Sequence, residues 1–180
     1  STTLNDVASH AGVHVQTLYK HFKTKEELAI ASAEIVVKDC RARFEEKFPS
    51  QSTLAIWREW IEDTVSYLTD LGIGTYKQEQ VRSASSLLND NYLLVVYSGY
   101  EDLLAEYLAK DFEMDPEIDR LPRLVACMLW SGNEAAMKRS AGSDTAKNML
   151  DFNDALLAES LSVIDDVDKI FSSYIKLSRP

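Results

Sequence analysis

Gly12 separates two short segments with helical periodicity, and this pairing constrains the chain more than any other feature. Thr3 is a good N-cap with Asp6 three places on as its capping-box partner. Leu4, Val7, Ala8 and Ala11 then recur at i, i+3, i+4 and i+7. This pattern predicts a helix over about residues 4–11. Gly12 supplies the residue with φ > 0 that ends a helix at little cost, and Val13 is placed to tuck under the turn. A second helix is expected from about Val15 to Phe22, turning Leu18 and Phe22 inward and leaving His14, Gln16, Thr17, Tyr19, Lys20 and His21 outward. Few surface helices this short carry so many hydrogen-bonding groups.

Downstream, Thr24-Lys25-Glu26-Glu27 is another capping box and opens a helix over about 25–47, with Leu28, Ala31, Ile35 and Phe44 on one face; Phe48-Pro49-Ser50 ends it. Its first turns can pack under these two short helices, the head of the chain, while its end reaches the helices that follow, the body, so it could carry motion between them. The next helix, about 53–71, shows Leu54, Trp57, Ile61, Thr64, Leu68 and Leu71 at helical spacing, with Trp60 beside the stripe and Gly72-Ile73-Gly74 as its stop. A shorter polar helix is predicted over 75–88 and a turn at Asn89-Asp90-Asn91. From there a helix runs to about Asp111 through Leu94, Tyr97, Tyr100, Leu104, Tyr107 and Leu108. Asp115-Pro116 signals a further start, for a helix to about Ser140 that Pro122 either kinks or truly begins. Gly142 closes it and Ser143 can cap the last stretch, helical over about 144–176 through Leu150, Leu157, Leu161, Ile164, Phe171 and Tyr174, with a break near Asp165-Asp166. No segment alternates as a strand would, and there is no internal repeat. The fold class is all-α.

The chain has 180 residues, enough for one large or two small domains, and its 46% hydrophobic and 27% charged residues are those of a soluble globular protein. No apolar run approaches the length of a membrane helix and no signal peptide opens the chain, so a cytoplasmic protein is the default expectation. Cys40 and Cys127 lie far apart inside helical patterns, which fits reduced structural thiols. The net charge of −10 argues, taken alone, against nucleic acid. Yet residues 1–25 hold Lys20, Lys23 and Lys25 against Asp6, a balance of +2, and all three histidines; the remaining residues balance to −12. A small basic head on an acidic body is compatible with DNA binding confined to the head. The local charge is modest, so phosphate affinity should need help from backbone donors, neutral hydroxyls or a second head.

Residues 3–28 resemble the DNA-binding domain of the TetR family of transcriptional regulators. The resemblance rests on a Thr-capped helix, the turn Ala11-Gly12-Val13, and then Thr17-Leu18-Tyr19, His21-Phe22, Lys25 and Leu28. It covers about a sixth of the chain, and the body adds a set of helices of suitable number and length. The family's head has three helices, and the first, which should precede Leu4, is missing from this sequence; an N-terminal segment in the working protein is the expectation. The resemblance implies a helix-turn-helix DNA-binding domain with its connecting helix over 1–47 and a helical ligand-binding and dimerisation domain over 48–180. It further implies a ligand-responsive dimeric regulator, most simply a repressor released from a palindromic operator by a small organic molecule.

In a helix-turn-helix the second helix enters the major groove and its N-terminal residues meet base edges. His14, Gln16, Thr17 and Lys20 are therefore the candidates for reading sequence: Gln16 can pair with adenine, and Lys20 can donate to guanine, each contact discriminating by ~1–3 kcal/mol. Tyr19, His21 and Lys25 match family positions that hold the phosphate backbone, as does Thr3 at the helix N-terminus. By the same resemblance the helices over 53–140 would enclose an effector pocket, for which Trp57, Trp60, Tyr97 and Trp130 are aromatic candidates and Asn133 and Glu134 polar ones. The helices at about 117–140 and 144–176 would build the homodimer, with Ala126, Ser131, Gly132, Ala135 and Ala136 letting a partner helix approach closely.

Other readings of these residues are weaker. His10 and His14 have i, i+4 spacing, but Gly12 breaks the helix between them, so no metal or other cofactor is expected. The sequence holds no nucleophile-plus-base arrangement and no phosphate loop, so no enzyme activity is expected. The alternative is a helical small-molecule-binding protein that lacks DNA binding.

Overall fold

In the computed structural model the residues described are 3–70, 90–141 and 154–176, and among them every regular element is helical. The helices are α1 (Leu4–His10), α2 (Val15–His21), α3 (Lys25–Lys47), α4 (Thr53–Asp70), α5 (Asp90–Phe112), α6 (Leu121–Ala141) and α7 (Asp154–Phe171), followed by a 3₁₀ turn at Ser172–Tyr174. The polar helix predicted over 75–88, its flanking signals at 72–74 and Asn89, and the Gly142 and Ser143 signals fall outside these residues.

Local chemistry accounts for the boundaries. The Thr3–Asp6 capping box is present in full, with the Asp6 N–H donating to Thr3 Oγ1 at 3.2 Å and the Thr3 N–H donating to Asp6 Oδ2 at 2.8 Å. Helix α1 ends in a left-handed residue, Gly12, at φ +67°, with the Val13 N–H bonding back to the Ala8 carbonyl and the Gly12 N–H to that of Ser9. The same pair of bonds closes α5, but there the left-handed position is filled by Glu113 at φ 55°, with Met114 bonding to Ala109 and Glu113 to Lys110. At the start of α3, Thr24 Oγ1 accepts from the Glu27 N–H, while the Glu27 carboxylate takes the N–H of Lys23 at 2.7 Å instead of that of the cap residue. Helix α4 is held at its N-terminus by Ser52 Oγ and, from 58 residues away, by the buried Asp111 carboxylate, which accepts the Thr53 N–H at 2.7 Å.

Helices α3 to α7 close a ring in which α3 packs on α5, α5 on α6, α6 on α7, α7 on α4 and α4 back on α3, with α4 also meeting α5 across the middle. The core inside the ring includes Cys40 and Phe44 of α3, Leu54, Trp57 and Ile61 of α4, Leu103, Leu104, Leu108 and Phe112 of α5, Val125 and Leu129 of α6, and Ile164 and Val167 of α7. A separate small core, Leu4, Ala8 and Leu18 with half-buried Val7, Val15, Phe22 and Leu28, joins α1 and α2 to the first turn of α3. Ion pairs rim the ring: Arg41–Glu106, Arg43–Asp63, Lys47–Glu59, Arg58–Asp165 and Arg123 with Glu101 and Asp102. Each is partly exposed and contributes on the order of 0–1 kcal/mol.

Several expectations are corrected here. Ile35 is 58% exposed; the buried face of α3 runs instead through Ala33, Cys40 and Phe44, with Val36 packed against the same core, because α5 lies on that side. Val13 does not tuck under its turn and stays 44% exposed, and Ala11 is exposed as the C-cap of α1. The start signal at Asp115-Pro116 opens no helix that reaches α6: residues 116–118 form a separate turn, and α6 begins at Leu121, so that of the two readings of Pro122 the true start of the helix holds, where a proline's missing N–H costs nothing. Nor is there a break at Asp165-Asp166: both side chains point to solvent, and α7 runs through them to Phe171.

Candidate nucleic-acid interface and aromatic cluster

The turn at Gly12 sets α2 against α1 through Leu4, Ala8 and Leu18, and this packing decides which side chains of α2 are free. His14, Gln16, Thr17, Tyr19, Lys20 and His21 are all exposed, as the spacing predicted. His14 occupies the N-cap position of α2 yet makes no side-chain cap bond, so its imidazole is not engaged by its own helix. Tyr19 is half out of the protein, and His21 makes only a loose ring contact with Phe22, at 6.4 Å between centroids. Lys25 begins α3 and is exposed beside Glu26 and Glu27.

Thr3 stands differently. Its hydroxyl donates to Asp6 Oδ2 at 2.7 Å, and its N–H donates to the same oxygen. Those bonds, the backbone one foremost, hold the Asp6 carboxyl below its ordinary value. A carboxylate therefore already sits at the N-terminus of α1, where a phosphate would have to approach.

The body gathers its aromatic residues around Tyr100, on α5. Its ring centroid lies 5.4 Å from that of Trp57, 6.3 Å from Trp60 and 5.0 Å from Trp130; Trp57 and Trp130 are 6.3 Å apart in an edge contact. So three of the four aromatic pocket candidates meet, from α4 and α6, and the ring that joins them, Tyr100 on the apolar stripe of α5, is not one of those four. Asn133, a turn beyond Trp130, is buried, and neither of its amide atoms has a hydrogen-bond partner; the same is true of the Trp57 indole Nε1. The side chains of Tyr97 and Glu134 lie outside the described residues. Arg43 lies over the Trp60 ring at 5.3 Å and pairs with Asp63 at 2.7 Å.

A cavity of about 340 Å³ opens elsewhere, between α3 and α5, lined by Glu34, Val37, Lys38, Arg41, Val95 and Gly99 and by none of the clustered aromatics. Glu106 closes its neighbourhood: burial pushes its carboxyl up, but hydrogen bonds from Lys110 and Arg41 outweigh that and leave it lowered. The thiol of Cys40 is pushed far up by burial and that of Cys127 is raised, so neither is poised as a nucleophile. Among the described residues no group of three acidic, His or Cys side chains could hold a metal ion, and no helix is long and apolar enough to cross a membrane.

Two short helices about a glycine turn, the second with a polar and basic outer face, define a helix-turn-helix DNA-binding head carried on a helical body. Residues 1–31 match the family model described as bacterial regulatory proteins, tetR family. The chain is thus similar, over its head, to the DNA-binding domain of the transcriptional regulators of that family. Neither the curated proteins nor the solved structures yield a match to it.

Proposed function

We propose that the chain is a dimeric repressor, cytoplasmic, that leaves a palindromic operator when a small organic effector binds in its body. The observation that carries this reading is the double membership of α3: its first turn gives Leu28 to the head's core, and its second half gives Cys40 and Phe44 to the body's core. A shift of the ring helices on effector binding would therefore move the heads. On this reading residues 1–47 form the DNA-binding unit and 48–180 the effector and dimer unit.

His14, Gln16, Thr17 and Lys20 would read bases, and Thr3, Tyr19, His21 and Lys25 would hold phosphates, which their exposure permits. Two heads would occupy successive major grooves, about 34–36 Å apart. Trp57, Trp60, Tyr97, Trp130, Asn133 and Glu134 would line the effector site, with Tyr100 as their hub. The dimer would form through α6 and α7, and here the residues change. Ala126 and Ala136 are fully buried within the subunit and Gly132 is pressed against Val163 of α7, whereas Ser131 and Ala135 are exposed in one stripe with Leu124 and Met128. That stripe, at i, i+4, i+7 and i+11, is the better candidate for a partner helix.

Fluorescence anisotropy of the full chain on DNA taken from upstream of its own gene, against random duplex of equal length, tests the reading. Preference for the upstream DNA, with a stoichiometry of two chains per site, is expected. Equal affinity for both would refute it.

A further inference from the structure

Three buried polar atoms on α4 and α6 have no bonding partner among the described residues: Trp57 Nε1 and both Oδ1 and Nδ2 of Asn133. Trp57 is fully buried and Asn133 is 2% exposed, so neither is wetted by bulk solvent. The Trp57 ring stands 6.3 Å from that of Trp130, and Asn133 follows Trp130 by three positions on α6, on the same helical face. Native interiors satisfy ~90% or more of such groups, so a buried carboxamide with both atoms unsatisfied and a buried indole N–H without an acceptor call for a cause. The rings of Trp60 and Trp130 meet that of Tyr100 at tilted angles of 59° and 34°.

We propose that Trp57 and Asn133 form the specificity edge of the effector site and that the effector is a neutral, flat, ring-containing molecule bearing an N–H beside a carbonyl, as in a lactam or cyclic imide. This rests on the effector-site reading above and adds the chemistry of the ligand to it. A carboxamide offers one donor and one acceptor side by side, and the group that satisfies both at once is another cis amide. The ligand N–H donates to Asn133 Oδ1, and its carbonyl accepts from Asn133 Nδ2 and, on its second lone pair, from Trp57 Nε1. Ring faces nearby take the flat remainder of the molecule. Both recognising groups are uncharged, and Arg43, the cation over Trp60, is already paired with Asp63, so a neutral ligand is favoured over an ionised one.

Calorimetric titration of the full chain with 2-quinolone and N-methyl-2-quinolone tests this, because the two share ring system and carbonyl and differ in that a methyl group replaces the N–H donor. The wild type is expected to bind 2-quinolone at least ~10-fold more tightly, the value of one hydrogen bond. In Asn133→Leu, which keeps the branched outline of the side chain, that preference should vanish, and in Trp57→Phe both probes should weaken while the preference remains. Equal binding of both probes by the wild type, or a preference that survives in Asn133→Leu, overturns the specificity edge and leaves an aromatic effector site standing. Saturable binding of neither probe overturns the edge and the site together.

Discussion

Replacing Gly99 by alanine should loosen the protein, although alanine is ordinarily the better helix former by about 1 kcal/mol. Gly99 lies inside α5, and a Cβ there would stand 2.8 Å from Val37 Cγ2 and 2.9 Å from Cγ1. Carbon atoms rest about 3.5–4.0 Å apart, so the gap must widen by somewhat less than 1 Å or a little more. Both crowding atoms belong to a β-branched side chain with one strongly preferred rotamer in a helix, which means that α3 itself has to move. Overpacking of this kind costs about 1–3 kcal/mol. Set against the gain in propensity, Gly99→Ala is expected to cost on the order of 1 kcal/mol, lowering the melting temperature by about 2–4 °C for a chain of this size. Val37→Ala removes both crowding atoms, so in that background Gly99→Ala should become neutral or stabilising. Urea denaturation of the wild type, both single variants and the double variant gives the coupling, expected at about 1–3 kcal/mol. Additivity within about 0.5 kcal/mol would refute the contact. Because α3 also carries Leu28 of the head, Gly99→Ala should alter operator affinity as well, and Val37→Ala should restore it.

Four further outcomes are expected. Asp111→Ala removes the buried carboxylate that accepts the Thr53 N–H and should cost about 1.5–3 kcal/mol in thermal melts, with Asp111→Asn losing about half as much. Glu113→Gly should raise stability by about 1 kcal/mol by relieving a left-handed non-glycine residue, whereas Gly12→Ala should lower it by a similar amount. The Asp6 carboxyl is held below its ordinary value of 3.8, so the capping box contributes fully above that value and is lost as pH falls through the lowered one. Amide exchange in α1 should therefore be insensitive to the carboxyl near neutrality and lose protection only in acid, a loss that Asp6→Asn abolishes. On DNA, Gln16→Ala should relax preference at one base pair, whereas Lys25→Ala should weaken all sequences alike and flatten the salt slope by about one unit.

The head was legible because its signals are local. A threonine cap, an aspartate three places on and a glycine after the last apolar position each specify a backbone bond within a few residues, and all are present. The body was legible in its helices and less so in its faces. Ile35 and Ala31 fit a helical stripe as well as Ala33 and Cys40 do, and only the position of α5 decides between them. Likewise Asp111 read as an ordinary residue at a helix end, since the N–H it caps lies on another helix. For the aromatic cluster, Trp57, Trp60 and Trp130 stood out by size, but Tyr100 was one of several tyrosines on its stripe, and nothing local marks it as the ring to which all three converge.

Thr3 is where the phosphate assignment meets its hardest test. A helix N-terminus attracts one anion, and at α1 the Asp6 carboxylate already takes both the N–H and the hydroxyl of Thr3. If Thr3 grips a phosphate, Asp6 opposes it twice, by occupying the donors and by repelling the charge. Asp6→Asn keeps a side-chain acceptor for the Thr3 N–H while removing the charge, so α1 should remain capped and random duplex should bind a few-fold more tightly at low salt, with the gain shrinking as salt rises. Thr3→Val, which keeps the shape and loses the hydroxyl, should abolish most of that gain in the Asp6→Asn background. Affinity unchanged by Asp6→Asn across the salt range would remove Thr3 from the phosphate-binding set and leave Tyr19, His21 and Lys25 to hold the backbone. A head with so little positive charge would then depend still more on a second head in the proposed dimer.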